Sequence, residues 1–352
     1  IEISAPEGGE IKKNYNAFDK FDTSSIVVKV VFNDGSEKIV PFKSEGVSDG
    51  YTLKYFRDGV DFLCAGNSYV TVEYNGKTTQ VSGLSVAKIE FDTSDITLSN
   101  ATFNWDGSSR SILLANAEKF TIGTVSYTYE KKNASGGWDL IDGVNSVSDA
   151  GEYRVTATFT VTGDVNITNY HVVPAKKATL TINKVDYDGV ENITFADGSK
   201  YYNHGNAIDL SDFTVKNVPN GVTVAYAWKD ASGAAVSVDA IINAGTYTVT
   251  ATFTVDGNHN AIADMTATLT VNKIDPITEP IVEGELLVGK TLSDIRLVLG
   301  ENDTAGSYEW DTEKNGLDHA LKLGVNTLYF VFTPDDATNY NVVKKSMTIN
   351  VL

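Results

Sequence analysis

The chain has 352 residues, with 28 Lys and Arg against 46 Asp and Glu for a formal net charge of −18, and it contains a single cysteine. Its length suits about two to four domains, each large enough for a core of its own. Composition disfavours a nucleic-acid partner, which needs clustered Lys and Arg, long disorder, a disulfide within the chain, and a membrane span in this segment, since no run approaches roughly 18 consecutive apolar residues. The sequence begins at Ile1 with no initiator Met and no signal-peptide pattern, so it reads as a segment of a longer chain whose flanking domains are its first expected partners.

In chain order, each quarter ends in a related motif. The first is Cys64-Ala65-Gly66-Asn67-Ser68-Tyr69, running into alternating Val70, Val72 and Tyr74. The second is Asp149-Ala150-Gly151-Glu152-Tyr153, followed by Val155, Ala157, Phe159 and Val161, with a closing strand on Leu180 and Ile182. The third, Asn243-Ala244-Gly245-Thr246-Tyr247, nearly duplicates it through Val249, Ala251, Phe253 and Val255, then closes on Leu269 and Val271. The fourth is looser: Leu323-Gly324-Val325-Asn326, then Leu328, Phe330 and Phe332, closing on Met347, Ile349 and Val351.

Strict alternation of this kind marks strands with one buried and one wet face. The β-branched and aromatic filling and the Asn, Gly and Asp punctuation agree. No sustained helical period is present; residues 317–323 suit at most one helical turn. The glycines recur about every 80 to 95 residues, too long for solenoid repeats of about 20 to 50. Tyr153 and Tyr247 have the spacing of a tyrosine corner, with Val155 and Val249 where an immunoglobulin domain places its second cysteine. Large aromatics upstream, Tyr127 with Tyr129, Tyr226 with Trp228, and Tyr308 with Trp310, fall where such a sandwich fills its centre. The expected fold is therefore all-β, four tandem Ig-like β-sandwich domains in an extended array, with boundaries at 1–88, 89–184, 185–274 and 275–352. Linkers such as Ile274-Asp275-Pro276 carry no Gly/Ser tract. Four modules of about 35 Å each would span on the order of 140 Å.

Residues 1–88 resemble a bacterial Ig-like domain of group 3, through Tyr15-Asn16-Ala17-Phe18-Asp19-Lys20-Phe21-Asp22, Asn33-Asp34-Gly35-Ser36 and Tyr74-Asn75-Gly76-Lys77. Residues 89–274 resemble the MBG or YDG repeats of Gram-positive surface proteins, through Ala-Gly-x-Tyr, the Thr-rich strand after it, and the terminal Thr181-Ile182-Asn183-Lys184 and Thr270-Val271-Asn272-Lys273. The last quarter resembles a related repeat, through Gly289-Lys290-Thr291-Leu292, Trp310 and Phe332-Thr333-Pro334-Asp335. Cys64 departs from the pattern of Asp149 and Asn243, and Asn326 from the corner tyrosine. The resemblance implies an extracellular, secreted or cell-wall-attached protein and a spacer, adhesin-stalk or accessory-module role.

Chemistry is sparse. His171, His204, His259 and His319 lie in separate turns with no zinc spacing, Cys64 has no nucleophile context, and no phosphate loop or serine elbow occurs. No catalytic residue, metal ligand or cofactor is assigned, and the chain is read as non-enzymatic. Asp256-Gly257-Asn258-His259-Asn260 and Asp335-Asp336-Ala337-Thr338-Asn339 read either as hard-oxygen calcium ligands or as Asx-capped turns. Thr168-Asn169-Tyr170 and Thr338-Asn339-Tyr340 match across repeats and read as a structural turn with a packed Tyr. Four aromatics form the glycan-stacking candidate: Trp138 in Gly137-Trp138-Asp139 and Trp105 in Asn104-Trp105-Asp106, then Tyr201 and Tyr202 in Tyr201-Tyr202-Asn203. The plainer alternative is that these rings fold back onto their sheets. Two functions follow: a spacer or adhesive stalk of a secreted or cell-surface bacterial protein, or a glycan-binding module accessory to an extracellular polysaccharide-degrading system. Their partners would be a host surface and an extracellular glycan, respectively.

Overall fold

The computed structural model describes residues 1–316 and 318–352. The chain is all-β, with helical structure confined to short turns such as Asp164–Asn169 and Thr312–Asn315. Its contacts divide it into two units, Ile1–Lys184 and Val185–Leu352. Of the helical turn expected over 317–323, residue 317 lies outside the described residues. The rest is non-helical, with Ala320 bridging Thr291.

Within the first unit, residues 1–88 build three small sheets. Val27–Val31 sits between Glu2–Ser4 and Glu37–Val40, Tyr69–Tyr74 sits between Thr52–Lys54 and Lys77–Ser82, and Asn14–Asn16 runs parallel to Ser85–Ala87. Alternation in Tyr69–Tyr74 buries Val70, Val72 and Tyr74 against Tyr15, Val28, Tyr51 and Leu63.

Residues 89–184 concentrate their pairing in one five-stranded sheet, ordered Trp138–Ile141, Gly123–Lys132, Gly151–Val161, Lys176–Asn183 and Ala101–Asn104, the last pair parallel. The opposing layer is mostly irregular and held by single bridges, Thr97 to Ala115 and Arg110 to Val147. One face of Gly151–Val161 buries Tyr153, Val155, Ala157 and Phe159. Tyr129 and Leu180 close over its first half, and Phe120 and Ile122 over its second. Gly123 begins its strand under constraint, because a Cβ there would meet the Thr160 carbonyl oxygen at 2.0 Å.

In the second unit, residues 185–274 repeat this sheet in the order Gly198–Tyr201, Met265–Asn272, Gly245–Thr254, Thr223–Lys229 and Ala235–Val236. The registers correspond: Tyr247 opposes Leu269 as Tyr153 opposes Leu180, and Trp228 opposes Val249 as Tyr129 opposes Val155. Trp228, 8% exposed, fills the centre beside Phe213. Residues 275–352 form a three-stranded sheet, Gly306–Trp310, Gly324–Pro334 and Val343–Val351, and a two-stranded one, Ile281–Gly284 with Ile295–Val298. Leu292, Leu321, Leu328, Ile349 and Val351 lie between them.

Candidate functional site

The recurrent motif is a corner pinned by a side chain. Tyr153 Oη donates to the Asp149 carbonyl at 2.7 Å, and Tyr247 Oη donates to that of Asn243 at 3.0 Å. Burial raises the pKa of both phenols, so they remain donors. Where the tyrosine is missing, an asparagine performs the task. Asn67 Oδ1 accepts from the Cys64 amide at 2.6 Å, and Asn326 Oδ1 accepts from the Lys322 amide at 3.0 Å. Asn326 Nδ2 also donates to the Lys322 carbonyl at 2.7 Å.

This pinning presents the amide just before the corner glycine, and in each unit a second repeat uses it. Asn169 is fully buried; its Oδ1 accepts from the Ala65 amide at 2.8 Å, and its Nδ2 lies 3.7 Å from Cys64 Sγ. Asn339, 4% exposed, does the same to Ala244 at 2.6 Å. Its Nδ2 donates to Asn243 Oδ1 at 3.0 Å and Asp336 Oδ2 at 2.7 Å. The backbone on either side of each asparagine is stitched to the linker. The Ile89 amide donates to the Asn169 carbonyl and the His171 amide to that of Ile89; Ile274 and Asn341 repeat this about Asn339. Rings close the contact, Phe18 with Tyr170 at 5.4 Å and Tyr202 with Tyr340 at 5.4 Å. In residues 185–274 the same stitch joins Val185 to Asn258 and Asn260, and His259 replaces the tyrosine, stacking on Tyr187 at 3.8 Å.

The segment expected to be a turn with a packed Tyr is thus a lock whose principal group is the asparagine. Its partner lies 104 residues away in sequence, where no local pattern points to it.

The two glycan-stacking tryptophans of the first unit do not converge. Trp138 and Trp105 lie at opposite edges of the same five-stranded sheet. The Arg154 guanidinium carbon lies over the Trp138 ring, 4.9 Å from its centroid, and Lys132 Nζ is 6.0 Å away. Trp105 packs on the Tyr129 cluster. Tyr201 is 68% exposed on an edge strand, whereas Tyr202 belongs to the Tyr340 junction.

The two acidic loops serve as turn caps. Asp256 Oδ1 accepts from the Asn258 and His259 amides and from the His259 ring, which holds its carboxyl below the usual carboxylate range. Asp336 Oδ1 accepts from the Asn339 amide. Among the described residues, no cluster of three or more His, Cys, Asp or Glu could hold a metal. No helix of the described chain is long and apolar enough to cross a membrane.

No protein-family model matches the chain, and no curated protein matches it in sequence. Among solved structures it is similar to human CDH23 EC21-23, with 14% identity over 74% of this chain and 99% of that one and a TM-score of 0.24. It is also similar to an ICAM-5 D1-D4 ectodomain fragment, 10% identical over 86% and 91% with a TM-score of 0.28. The four N-terminal Ig domains of Dscam1 isoform 1.9 are 10% identical over 92% and 86%, with a TM-score of 0.18. Similarity this low transfers no activity, and the functional reading rests on this chain's own residues.

Proposed function

We propose that the chain is a non-enzymatic spacer or adhesive stalk segment of a secreted or cell-surface bacterial protein. One observation carries the reading: a buried asparagine in each unit docks on the pinned corner of another repeat, Asn169 on Ala65 and Asn339 on Ala244. A buried amide costs free energy unless its hydrogen bonds are made, so polar groups concentrated there favour one fixed geometry between repeats. Holding repeats in register is what a spacer needs, and converging catalytic groups are not. Amide hydrogen exchange on the full chain tests it. Ala65 and Ala244 should be protected to the level of their neighbouring strands and should lose that protection in Asn169→Ala and Asn339→Ala respectively. Exchange at loop rates in the unaltered chain would refute the coupling.

A second reading, a glycan-binding module accessory to an extracellular polysaccharide-degrading system, is favoured by one feature of the first unit. Phe56 leaves its ring 60% exposed at the rim of a cleft.

A further inference from the structure

Beside the Asn169 lock, the two repeats of the first unit enclose a cleft of about 400 Å³ lined by Phe56, Arg57, Asp58, Asn67, Cys64 and Thr168. That volume lies within the usual range of small-ligand sites, which favour junctions between domains. The walls are chemically mixed. Phe56 is fixed by an edge contact with Tyr69, ring centroids 5.5 Å apart, and stays largely open to solvent. Arg57 contributes a guanidinium 3.5 Å from Asp164 Oδ2. Asp58 is an exposed acceptor. Asn67 is the informative group: it is 5% exposed, its Oδ1 is taken by the Cys64 amide, and its Nδ2, with no hydrogen-bond acceptor among the described residues, is open to the water of the cleft. A donor held in place by its own Oδ1 contact and facing the water of an open cleft can exchange that water for a ligand that brings an acceptor.

Resting on the glycan-binding reading, we propose that this cleft binds a neutral pyranose residue of an extracellular polysaccharide. A pyranose has an apolar C–H face for Phe56 and a rim of hydroxyls, each able to accept from Asn67 and Arg57 and to donate to Asp58. A purely apolar ligand leaves Asn67 and Asp58 unmatched. An anionic one meets Asp58, an Arg57 already paired with Asp164, and a net charge of −18.

The test is affinity electrophoresis of the full chain through gels containing amylose, β-1,3-glucan, xyloglucan, galactomannan or arabinoxylan. At least one should retard it, and Phe56→Ala should weaken that binding by severalfold to about tenfold, as expected for loss of an aromatic contact. Asn67→Asp, which keeps the Cys64 acceptor and removes the donor, should weaken it also, whereas Trp138→Ala should not. As the only cysteine, Cys64 gives an independent readout: the retarding polysaccharide should slow its alkylation in the folded chain, and Phe56→Ala should abolish that effect. Retardation that survives Phe56→Ala, whether or not Trp138→Ala or Tyr201→Ala removes it, overturns the cleft and leaves the glycan reading standing. No retardation in any gel overturns both.

Discussion

At the scale of single residues, the asparagine locks make the sharpest demand. Asn169→Ala removes the acceptor of the Ala65 amide, which is partly buried beside the cleft, and loss of such a hydrogen bond costs about 0.5 to 1.5 kcal/mol. That loss should appear in denaturant unfolding of the full chain. Asn169→Asp should recover part of it, because the acceptor of the 2.8 Å bond is retained. Equal losses in both variants would show that the amide bond contributes little. Tyr51 gives a second test. Burial of its 2%-exposed side chain pushes the phenol up to about 12, against an ordinary value near 10. A group whose folded pKa is raised stabilises the fold fully below its unfolded pKa, and that contribution is lost as pH rises through the folded value. Unfolding should therefore set in between about pH 10 and 12, followed by tyrosinate absorbance. Tyr51→Phe should shift the edge upward without removing it, since burial also raises Tyr308 and Tyr153. An edge that does not move would exclude Tyr51 as a contributor.

At the scale of elements, the corner strands explain how much of the fold was readable. Alternation in Gly245–Thr254 buries Tyr247, Val249, Ala251 and Phe253, and that face follows from residue spacing alone. Trp228 was legible too, through its aligned counterparts. Trp228→Ala should cost about 3 to 5 kcal/mol, as loss of a large buried aromatic does, and a change in denaturant unfolding below about 1 kcal/mol would contradict its place in the core. The opposing layer of residues 89–184 was not legible as strands, because single bridges such as Arg110 to Val147 impose no period on the sequence. Candidate sites were harder still. Polar and glycine neighbours single out Trp138 and Trp105 in the sequence, yet Trp138 lies under Arg154 and Trp105 packs on a core cluster. The Phe56-Arg57-Asp58 loop carries no motif, and the wall of its cleft includes Thr168, far along the chain.

For the whole molecule, stability has to come from packing and hydrogen bonding, since Cys64 is a buried free thiol and the chain has no second cysteine. Charge then works against the fold. Forty-six acidic residues face 28 basic ones, and an excess of one sign destabilises a compact state through self-repulsion. The opposing term is small: Lys20 with Asp61 and Arg296 with Glu283 are water-exposed pairs, whose attraction solvent largely screens. Salt weakens both terms, but the net repulsion acts over many charges at longer range, where a Debye length of about 8 Å at physiological ionic strength removes most of it. Raising sodium chloride from a few millimolar to about that ionic strength should therefore increase the melting temperature of the full chain. A decrease would mean that the exposed pairs, rather than the acidic excess, govern its electrostatics.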